Sequence, residues 1–346
     1  MSTILSYKYD SVHHILMKGK VSIIIPCRNE RDYIRQCINS LLNNDYQQKE
    51  IIVVDGLSND GTREIVCEFE QSCSNVKLIN NSRQITPVAL NLGLDKAEGE
   101  YIMIAGAHAT FAENYISAMV WRINHFDNAA GVGGALHTMA GDTAGSHSIA
   151  KVMTDKLGVG NSKFRLGKSG PVKTDTLPYG LYKKEIFDKV GRYDERLVRN
   201  QDIELAKRIW KHGWHLYLFS DIKCNYYFEG SFNNLAHQNF KNGLWNVFTF
   251  YITKHLSSLS IRHYIPLLFV LSLLLPAIVA FLLEPVFGLI SLAIATVYLI
   301  LIIFESIKLS DKDSNVIYLI WSFFVLHFTY GFGSFVGLFH LNKLFK

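Results

Sequence analysis

The chain has 346 residues, a length that suggests about two domains at roughly 150 residues each. Its formal net charge of +5, with no long run of lysine or arginine, gives no reason to expect a nucleic-acid partner. Hydrophobic residues make up 49% of the chain and charged residues only 19%, which excludes a disordered protein and exceeds what a purely soluble one needs.

Neither end-processing nor disulfide bonding is expected from the sequence. Residues 1–20 lack the apolar core of a secretion signal, so we expect no cleavable leader. The five cysteines show no metal-ligand spacing and are expected to be reduced, buried thiols of a cytosolic domain.

The first hundred residues alternate between apolar runs and helical patterns. Short apolar runs predict four buried strands, at 21–26, 50–54, 76–79 and 101–105. Helical patterns follow the first three, at 29–42, 62–69 and 86–97. This alternation predicts a parallel, doubly wound α/β sheet, in which ligands bind at the carboxyl ends of the strands. The site candidates are therefore 28–30, 55–60 and 106–108.

The residues after these strands are carboxylates, amides and a histidine. Neither a G-x-G-x-x-G motif nor a Walker lysine loop is present, so the usual dinucleotide and triphosphate cradles are excluded. The residue types suit a nucleotide sugar, in which a carboxylate takes the base edge and a metal neutralises the diphosphate.

A further helix is predicted after residue 200. Leu205, Ile209 and Trp210 mark its apolar face, which places Asp202 near its N-terminus.

Three long uncharged stretches follow, each long enough to cross a bilayer core of about 30 Å. They lie at 265–283, 286–304 and 316–339. Buried helices of a soluble core are the alternative, but a domain this small has little room for them. We therefore predict a cytosolic domain over 1–259 (core 21–232, interfacial segment 233–259) and a membrane domain over 260–346.

Charge near the first span favours one orientation. Lys254, Arg262 and His263 precede it, which indicates a cytosolic catalytic domain on a multi-pass protein of the cytoplasmic (inner) membrane. Three spans would place the C-terminus outside, whereas Lys343 and Lys346 favour the opposite side. The number and topology of the spans stay open, because one stretch can instead lie in the interface.

Several motifs occur in an order that resembles the inverting family 2 glycosyltransferases of GT-A fold. They are I-I-P-C-R-N-E (24–30), I-V-V-D-G-L-S-N-D-G-T (52–62), A-L-N-L-G-L (89–94) and A-E-G-E-Y (97–101). Later segments are similar to the bacterial succinoglycan-biosynthesis type, namely G-V-G-G (131–134), L-G-V-G (157–160) and V-R-N-Q-D-I-E-L (198–205). The resemblance implies a GT-A nucleotide-sugar-binding doubly wound sheet with C-terminal transmembrane helices.

The resemblance also implies donor-binding residues. Asp55 is expected to contact the base edge of the nucleotide, and Glu30 to lie near the ribose or base. Pro26 is expected to shape the loop after the first strand. Arg28, Asp60, Arg83 and Asn91 complete the expected set around the donor. Helix capping is the alternative for Asp60, and a solvated loop position is the alternative for Arg83.

Gly106, Ala107 and His108 stand where the family carries its D-x-D metal motif. Relatives usually have D-A-H, and Gly106 replaces the first aspartate, which is a departure from the pattern. His108 is left as the expected ligand of a divalent cation, Mg²⁺ or Mn²⁺. A polar histidine at a strand end is the alternative.

An inverting transfer needs one carboxylate to take the proton of the acceptor hydroxyl. By resemblance this catalytic base is Asp202, with Gln201 beside it, while Glu204 points to another helix face. A residue favoured by the helix dipole is the alternative for Asp202. Gln238 and Lys241 resemble a weakened Q-x-x-R-W element that contacts the pyrophosphate or the acceptor; a snorkelling lysine is the alternative.

Asp175, Tyr179 and Gly180 are expected by resemblance to line the acceptor site. The expected reaction moves a sugar from a nucleoside diphosphate, a UDP-hexose, to a hydroxyl of a lipid-linked saccharide in exopolysaccharide or cell-surface glycan assembly. Membrane lipids are the other expected partners. A processive polysaccharide synthase and a non-catalytic nucleotide-sugar-binding subunit remain as alternatives.

Overall fold

The computed structural model describes residues 18–166, 171–228 and 230–340. Most of residues 1–20, on which the leader expectation rests, and Lys343 and Lys346 lie outside the described residues. The described strands are β1 (Val21–Cys27), β2 (Lys49–Asp55), β3 (Val76–Asn80), β4 (Tyr101–Ile104), β5 (Ala109–Phe111), β6 (Ala129–Met139), β7 (Pro171–Lys173), β8 (Leu181–Lys183) and β9 (His215–Tyr227).

The described α-helices include the three predicted between the first strands. They are α1 (Arg31–Leu42), α2 (Thr62–Ser72), α3 (Thr86–Lys96), α4 (Tyr115–His125), α5 (Ala144–Val152), α6 (Lys156–Val159), α7 (Lys163–Leu166), α8 (Glu185–Val190), α9 (Gln201–Lys211), α10 (Phe232–Thr253), α11 (Ile265–Leu282), α12 (Gly288–Leu309) and α13 (Val316–Phe339).

The four predicted strands form one parallel block, in the order β3-β2-β1-β4. The apolar side chains of β1 and β2 are almost all buried, which is why continuous β-branched runs predicted these strands well. The register pairs Cys27 with Asp55, and Asp55 with Asn80. The carboxyl ends of three neighbouring strands therefore meet at one edge of the sheet.

The sheet as a whole is mixed, whereas the sequence predicted a parallel one. β8 runs antiparallel to β4, with Ile102 opposite Tyr182, and β6 runs antiparallel to β8. The order of the longer path is β3-β2-β1-β4-β8-β6-β9-β5, with β7 paired to β9. Regular strand–helix alternation, which enforces parallel pairing through crossovers, ends after β4, and the later strands are free to pair in the other direction.

The helices of the parallel block bury one apolar stripe each. In α1 the buried positions are Ile34, Cys37, Ile38 and Leu41, which lie on one face at helical spacing. α3 begins with Thr86-Pro87, so proline occupies the first turn, where its missing N–H costs nothing.

The chain divides into two compact units. The first contains Met1–Ala135, Ser169–Arg192 and Ile209–Cys224. The second contains Leu136–Lys168, Tyr193–Arg208 and Asn225–Lys346. Three stretches that precede residue 260 thus belong to the same unit as the apolar helices, namely Leu136–Lys168, Tyr193–Arg208 and residues 225–259.

Among the described residues of the second unit, three helices are long and apolar enough to cross a membrane. They are Ile261–Leu282, Pro285–Leu309 and Val316–Phe339, with mean hydropathies of 2.7, 2.7 and 1.5. The second runs five residues beyond its predicted end at 304. At 1.5 Å per residue each exceeds the thickness of a bilayer core of about 30 Å.

The predicted interfacial segment is largely helical and packs against the last apolar helix. A Cβ atom on Gly243 of α10 would collide with the carbonyl oxygen of Tyr330 in α13, and one on Gly333 would collide with that of Phe240. Glycines at these points let the two backbones approach directly, as in helix pairs within membranes. The interfacial location of α10 stays a prediction.

Candidate functional site

Asp55 is the most deeply buried carboxylate at the carboxyl edge of the first unit, with 0% exposure. Its Oδ1 accepts a hydrogen bond from the Ser58 hydroxyl at 2.5 Å, and its Oδ2 accepts one from the Ser58 N–H at 3.1 Å. The Arg63 guanidinium lies 3.4 Å from Oδ2. These groups satisfy and partly neutralise a carboxylate that would otherwise be costly to bury.

A thiol borders the same carboxylate. Cys27 Sγ lies 3.8 Å from Asp55 Oδ1. Burial, followed by the charges of Asp55 and Glu30, raises the pKa of the Cys27 thiol far above its ordinary value. The neutral Cys27 thiol is therefore a hydrogen-bond donor to the Asp55 carboxylate. All five cysteines are free thiols, as expected; Cys67 and Cys73 are half-buried, whereas the other three are buried.

Glu30 and His108 are brought together from the loops after β1 and β4. Glu30 Oε1 lies 3.4 Å from His108 Nδ1, and the two side chains are 23% and 34% exposed. The N–H of Glu30 donates to the Thr62 hydroxyl at 2.7 Å, which fixes the start of α1. The structure thus places the first-strand carboxylate and the predicted metal ligand side by side.

This pair fits a divalent cation that shares its coordination with a substrate. Within the described ranges no cluster of three or more histidine, cysteine or acidic side chains suits a metal. A carboxylate and an imidazole supply two ligands, and Mg²⁺ or Mn²⁺ commonly completes its shell with substrate phosphate oxygens and water. The donor set therefore fits a cation that binds together with a diphosphate.

The structure gives a steric reason for glycine at position 106. A Cβ atom there would lie 2.5 Å from Cε1 and 2.6 Å from the hydroxyl oxygen of Tyr179. Tyr179 has a left-handed backbone, with φ of 51°, and its carbonyl accepts a hydrogen bond from the buried Tyr115 hydroxyl at 3.1 Å. Ala107 is buried, so only His108 of the three motif residues presents a polar side chain.

The Asp60 carboxylate holds the loop between β2 and α2. Its Oδ1 accepts from the N–H of Thr62 at 3.0 Å and from the Thr62 hydroxyl, and its Oδ2 accepts from the N–H of Arg31 at 3.1 Å. Burial raises the pKa of this carboxyl, but the hydrogen bonds from Thr62 and Arg31 outweigh burial and leave the pKa below its ordinary value. These contacts are those of a capping residue, and contact with a donor stays a prediction.

The other predicted donor residues lie in β1, in the loops after β1 and β3, and in α3. Pro26 is half-buried near the end of β1, and Arg28 is exposed one residue beyond the strand. Arg83 is exposed in the loop before α3, and Asn91 is half-buried within α3. Their roles in binding stay predictions.

In the second unit, Asp202 occupies the first turn of α9, as predicted, and is half-buried. Both oxygens of Glu204 are engaged by Arg208 one turn later, at 2.8 to 3.0 Å. Gln201 has a buried Oε1 with no hydrogen-bond partner among the described residues. A hydrogen-bond donor group of a bound ligand at this oxygen would remove a desolvation cost of about 1–3 kcal/mol.

Gln238 and Lys241 lie on α10 in the second unit. Gln238 is half-buried and Lys241 is exposed. Their assignment to the diphosphate or the acceptor stays a prediction.

Comparison with known proteins assigns the first unit's sheet region to a protein family. Residues 22–191 match glycosyl transferase family 2. This chain carries a family 2 glycosyltransferase domain. The family resemblance predicted from the motifs is thereby confirmed.

Two curated relatives are similar to this chain over most of its length. The dolichyl N-acetyl-alpha-D-glucosaminyl phosphate 3-beta-D-2,3-diacetamido-2,3-dideoxy-beta-D-glucuronosyltransferase of Methanococcus voltae is 29% identical over 94% of this chain and 99% of the relative. The succinoglycan biosynthesis protein ExoA of Rhizobium meliloti is 29% identical over 71% of this chain and 74% of the relative.

Solved structures show the same fold. A mannosyltransferase from Pyrobaculum calidifontis, in complex with GDP-Man and Mn²⁺, superposes with a TM-score of 0.58 at 17% identity. The match covers 93% of this chain and 88% of the mannosyltransferase. The predicted GT-A architecture with C-terminal apolar helices is therefore confirmed.

Sequence reasoning missed two polar residues at the carboxyl edge of the transferase domain. Arg63 bridges Asp55 and the side-chain oxygen of Asn80. Asn81, directly after β3, is buried, and its Oδ1 has no hydrogen-bond partner within the described ranges. Asn81 directly follows a predicted strand, and this position could have identified it as a site candidate. Arg63 lies in a predicted helix, and nothing in its position indicated a place at the site.

Proposed function

We propose that this chain is an inverting glycosyltransferase that moves a sugar from a nucleoside-diphosphate donor, a UDP-hexose, to a hydroxyl of a lipid-linked saccharide. The observation that carries the proposal is the Glu30–His108 pair, 3.4 Å apart, at the strand edge that also holds the buried Asp55. The family 2 domain, the names of the two relatives and the three apolar helices support it.

The first unit has the groups that a nucleotide diphosphate requires. Asp55 accepts hydrogen bonds from the base edge, and Glu30 and His108 hold Mg²⁺ or Mn²⁺. Such a cation, when bound, neutralises the negative charge of the diphosphate leaving group. Arg83 is the cation of this unit that we assign to the phosphate oxygens.

The second unit supplies the base. Asp202 takes the proton of the acceptor hydroxyl as its oxygen bonds to the anomeric carbon, and the nucleoside diphosphate leaves from the opposite face. Glu204 is a poorer base because Arg208 already occupies both of its oxygens. A single displacement of this kind inverts the anomeric configuration.

The setting is the cytosolic side of the cytoplasmic membrane, in exopolysaccharide or surface glycan assembly. Lys254, Arg262 and His263 flank the first apolar helix, which supports a cytosolic transferase domain. An acceptor attached to a lipid is held at the same surface.

A donor panel tests this proposal. Full-length protein in membranes is incubated with UDP- and GDP-hexoses, lipid-linked saccharide acceptors, and Mg²⁺ or Mn²⁺, and nucleotide release and labelled product are measured. We expect transfer from one UDP-hexose and, by NMR of the product, an inverted anomeric linkage. Retention of configuration would refute the single displacement.

The same assay separates the two alternatives. A processive synthase would give a ladder of long products, whereas we expect one sugar per acceptor. A non-catalytic subunit would bind a nucleotide sugar but release no nucleotide with any donor, acceptor or metal tested.

A further inference from the structure

Arg199, three residues before the proposed base, is a half-buried cation whose described hydrogen-bond partner is a neutral amide. Its Nη1 donates to Asn242 Oδ1 at 2.7 Å. Across the described ranges no acidic side chain forms an ion pair with Arg199. Burial lowers the pKa of the guanidinium, and the nearby Tyr226 hydroxyl only partly offsets this.

Six other arginines of the chain are paired with carboxylates. The pairs are Arg35–Glu68, Arg63–Asp55, Arg122–Asp221, Arg192–Asp95, Arg196–Asp194 and Arg208–Glu204. A half-buried cation without a counter-ion carries a desolvation cost that an anionic ligand would offset.

The backbone around Arg199 is fixed by a polar stripe on α10. Asn242, Asn246 and Thr249 follow one another at helical spacings of four and three residues, so they share one face. Asn200 donates from Nδ2 to Asn246 Oδ1 at 3.0 Å and to Thr249 Oγ1 at 3.1 Å. Arg199 and Asn200 are therefore both attached to this stripe.

The stripe is itself anchored in the second unit. Asn246 Nδ2 donates to the Tyr330 hydroxyl at 2.8 Å and to the carbonyl oxygen of His263 at 3.0 Å. Asn200 adopts a left-handed backbone, with φ of 64°, just before α9 begins. The guanidinium is thus held in place by a buried network that does not neutralise it, which is how a preorganised anion site is built.

We propose that Arg199 binds a phosphate group of a substrate next to Asp202. A guanidinium has five N–H donors in a planar fork, and the bond to Asn242 leaves donors for a bidentate contact with phosphate oxygens. The phosphate belongs either to the lipid carrier of the acceptor or to the diphosphate of the donor. This inference rests on the proposed function for the identity of the substrate, but the anion site itself does not.

Direct binding tests the site without catalysis. Full-length protein in detergent is titrated with inorganic pyrophosphate by calorimetry, as wild type, Arg199→Gln, Arg199→Lys and Arg196→Gln. Arg196 is the matched control, since it lies in the same segment but is paired with Asp194. We expect Arg199→Gln to weaken binding about 10- to 100-fold, Arg199→Lys to weaken it less, and Arg196→Gln to bind like wild type.

Two results would overturn the inference: no pyrophosphate binding by the wild type, or equal affinities of the wild type and the Arg199 variants. Thermal melting shows whether Arg199→Gln is folded, and if it is not, the comparison rests on Arg199→Lys, which keeps the charge but loses the fork. If pyrophosphate binds through Arg199 while the wild type transfers no sugar, the proposed function fails and the anion site stands.

Steady-state kinetics then identifies the source of the phosphate. If Arg199→Gln raises the KM for the lipid-linked acceptor and leaves the KM of the donor unchanged, the phosphate is that of the lipid carrier. The reverse pattern assigns it to the nucleotide diphosphate. A fall in kcat with neither KM changed would contradict a phosphate contact in the bound substrates.

Discussion

Asp55 in the first unit and Asn246 in the second are both shielded from water, at 0% and 2% exposure. Asp55 is a carboxylate at a strand end, surrounded by loop groups and a half-exposed arginine. Asn246 is an amide whose oxygen and nitrogen are both engaged, by Asn200, Tyr330 and the carbonyl of His263. The first unit therefore buries a charge at the edge where we propose that the donor binds, whereas the second buries a neutral group that fixes the chain.

Exchanging carboxylate and amide at these two positions should lower two different properties, stability at Asn246 and donor affinity at Asp55. Asn246→Asp puts a carboxylate against the His263 carbonyl oxygen and removes the two hydrogen bonds that the Asn246 amide donates, and we expect a loss of about 3–5 kcal/mol of stability. Thermal unfolding of the purified protein in detergent measures it. A melting temperature equal to that of the wild type would contradict the account of the α10 network.

Asp55→Asn should fold but lose donor affinity. The amide is nearly the same size, so the loop held by Ser58 is kept in part, while the charge that we propose accepts hydrogen bonds from the nucleotide is lost. We expect the KM for the donor to rise about 10- to 100-fold. Isothermal titration with the free nucleotide checks it, and unchanged affinity would remove Asp55 from the donor site.

Gly106→Asp restores the usual family residue, yet we expect it to lower stability by about 1–3 kcal/mol, because the new side chain overlaps the Tyr179 ring. Combining it with Tyr179→Ala should recover stability. A double-mutant cycle on the melting temperatures measures this coupling. Additive effects of the two changes would show that Tyr179 is not the obstacle.

Asp60→Asn should have the smallest effect, a loss of about 1 kcal/mol of stability near neutral pH with the donor KM unchanged. Because hydrogen bonds hold the folded pKa of Asp60 below its ordinary value, its contribution is present above the unfolded pKa of about 3.9 and disappears as pH falls through the folded pKa. The stability difference from the wild type should therefore shrink below about pH 4. A raised KM would instead assign Asp60 to the donor.

The sequence predicted what depends on local pattern. The four apolar runs correspond to β1 to β4, and the carboxylate after the second run is the buried Asp55. Both could be predicted because periodicity and strand ends depend on residues that are close together in the sequence. The antiparallel strands were missed, since their pairing joins residues far apart in sequence, such as Ile102 and Tyr182.

Contacts between side chains that are far apart in the sequence could not be predicted either. The positions of Asn242, Asn246 and Thr249 on one helix face follow from their spacing, but their partner Asn200 does not. The same holds for Tyr179 at Gly106, where only the fold brings a ring against a glycine that lies 73 positions earlier in the chain.

The most direct test of the central claim compares two acidic residues of one helix. Initial rates of sugar transfer to the lipid-linked acceptor are measured for Asp202→Asn and Glu204→Gln at saturating donor. We predict that Asp202→Asn lowers kcat about 100- to 10,000-fold with the donor KM unchanged, while Glu204→Gln stays within about threefold of the wild type. Wild-type rates in Asp202→Asn, or an equal loss in Glu204→Gln, would contradict the assignment of Asp202 as the base.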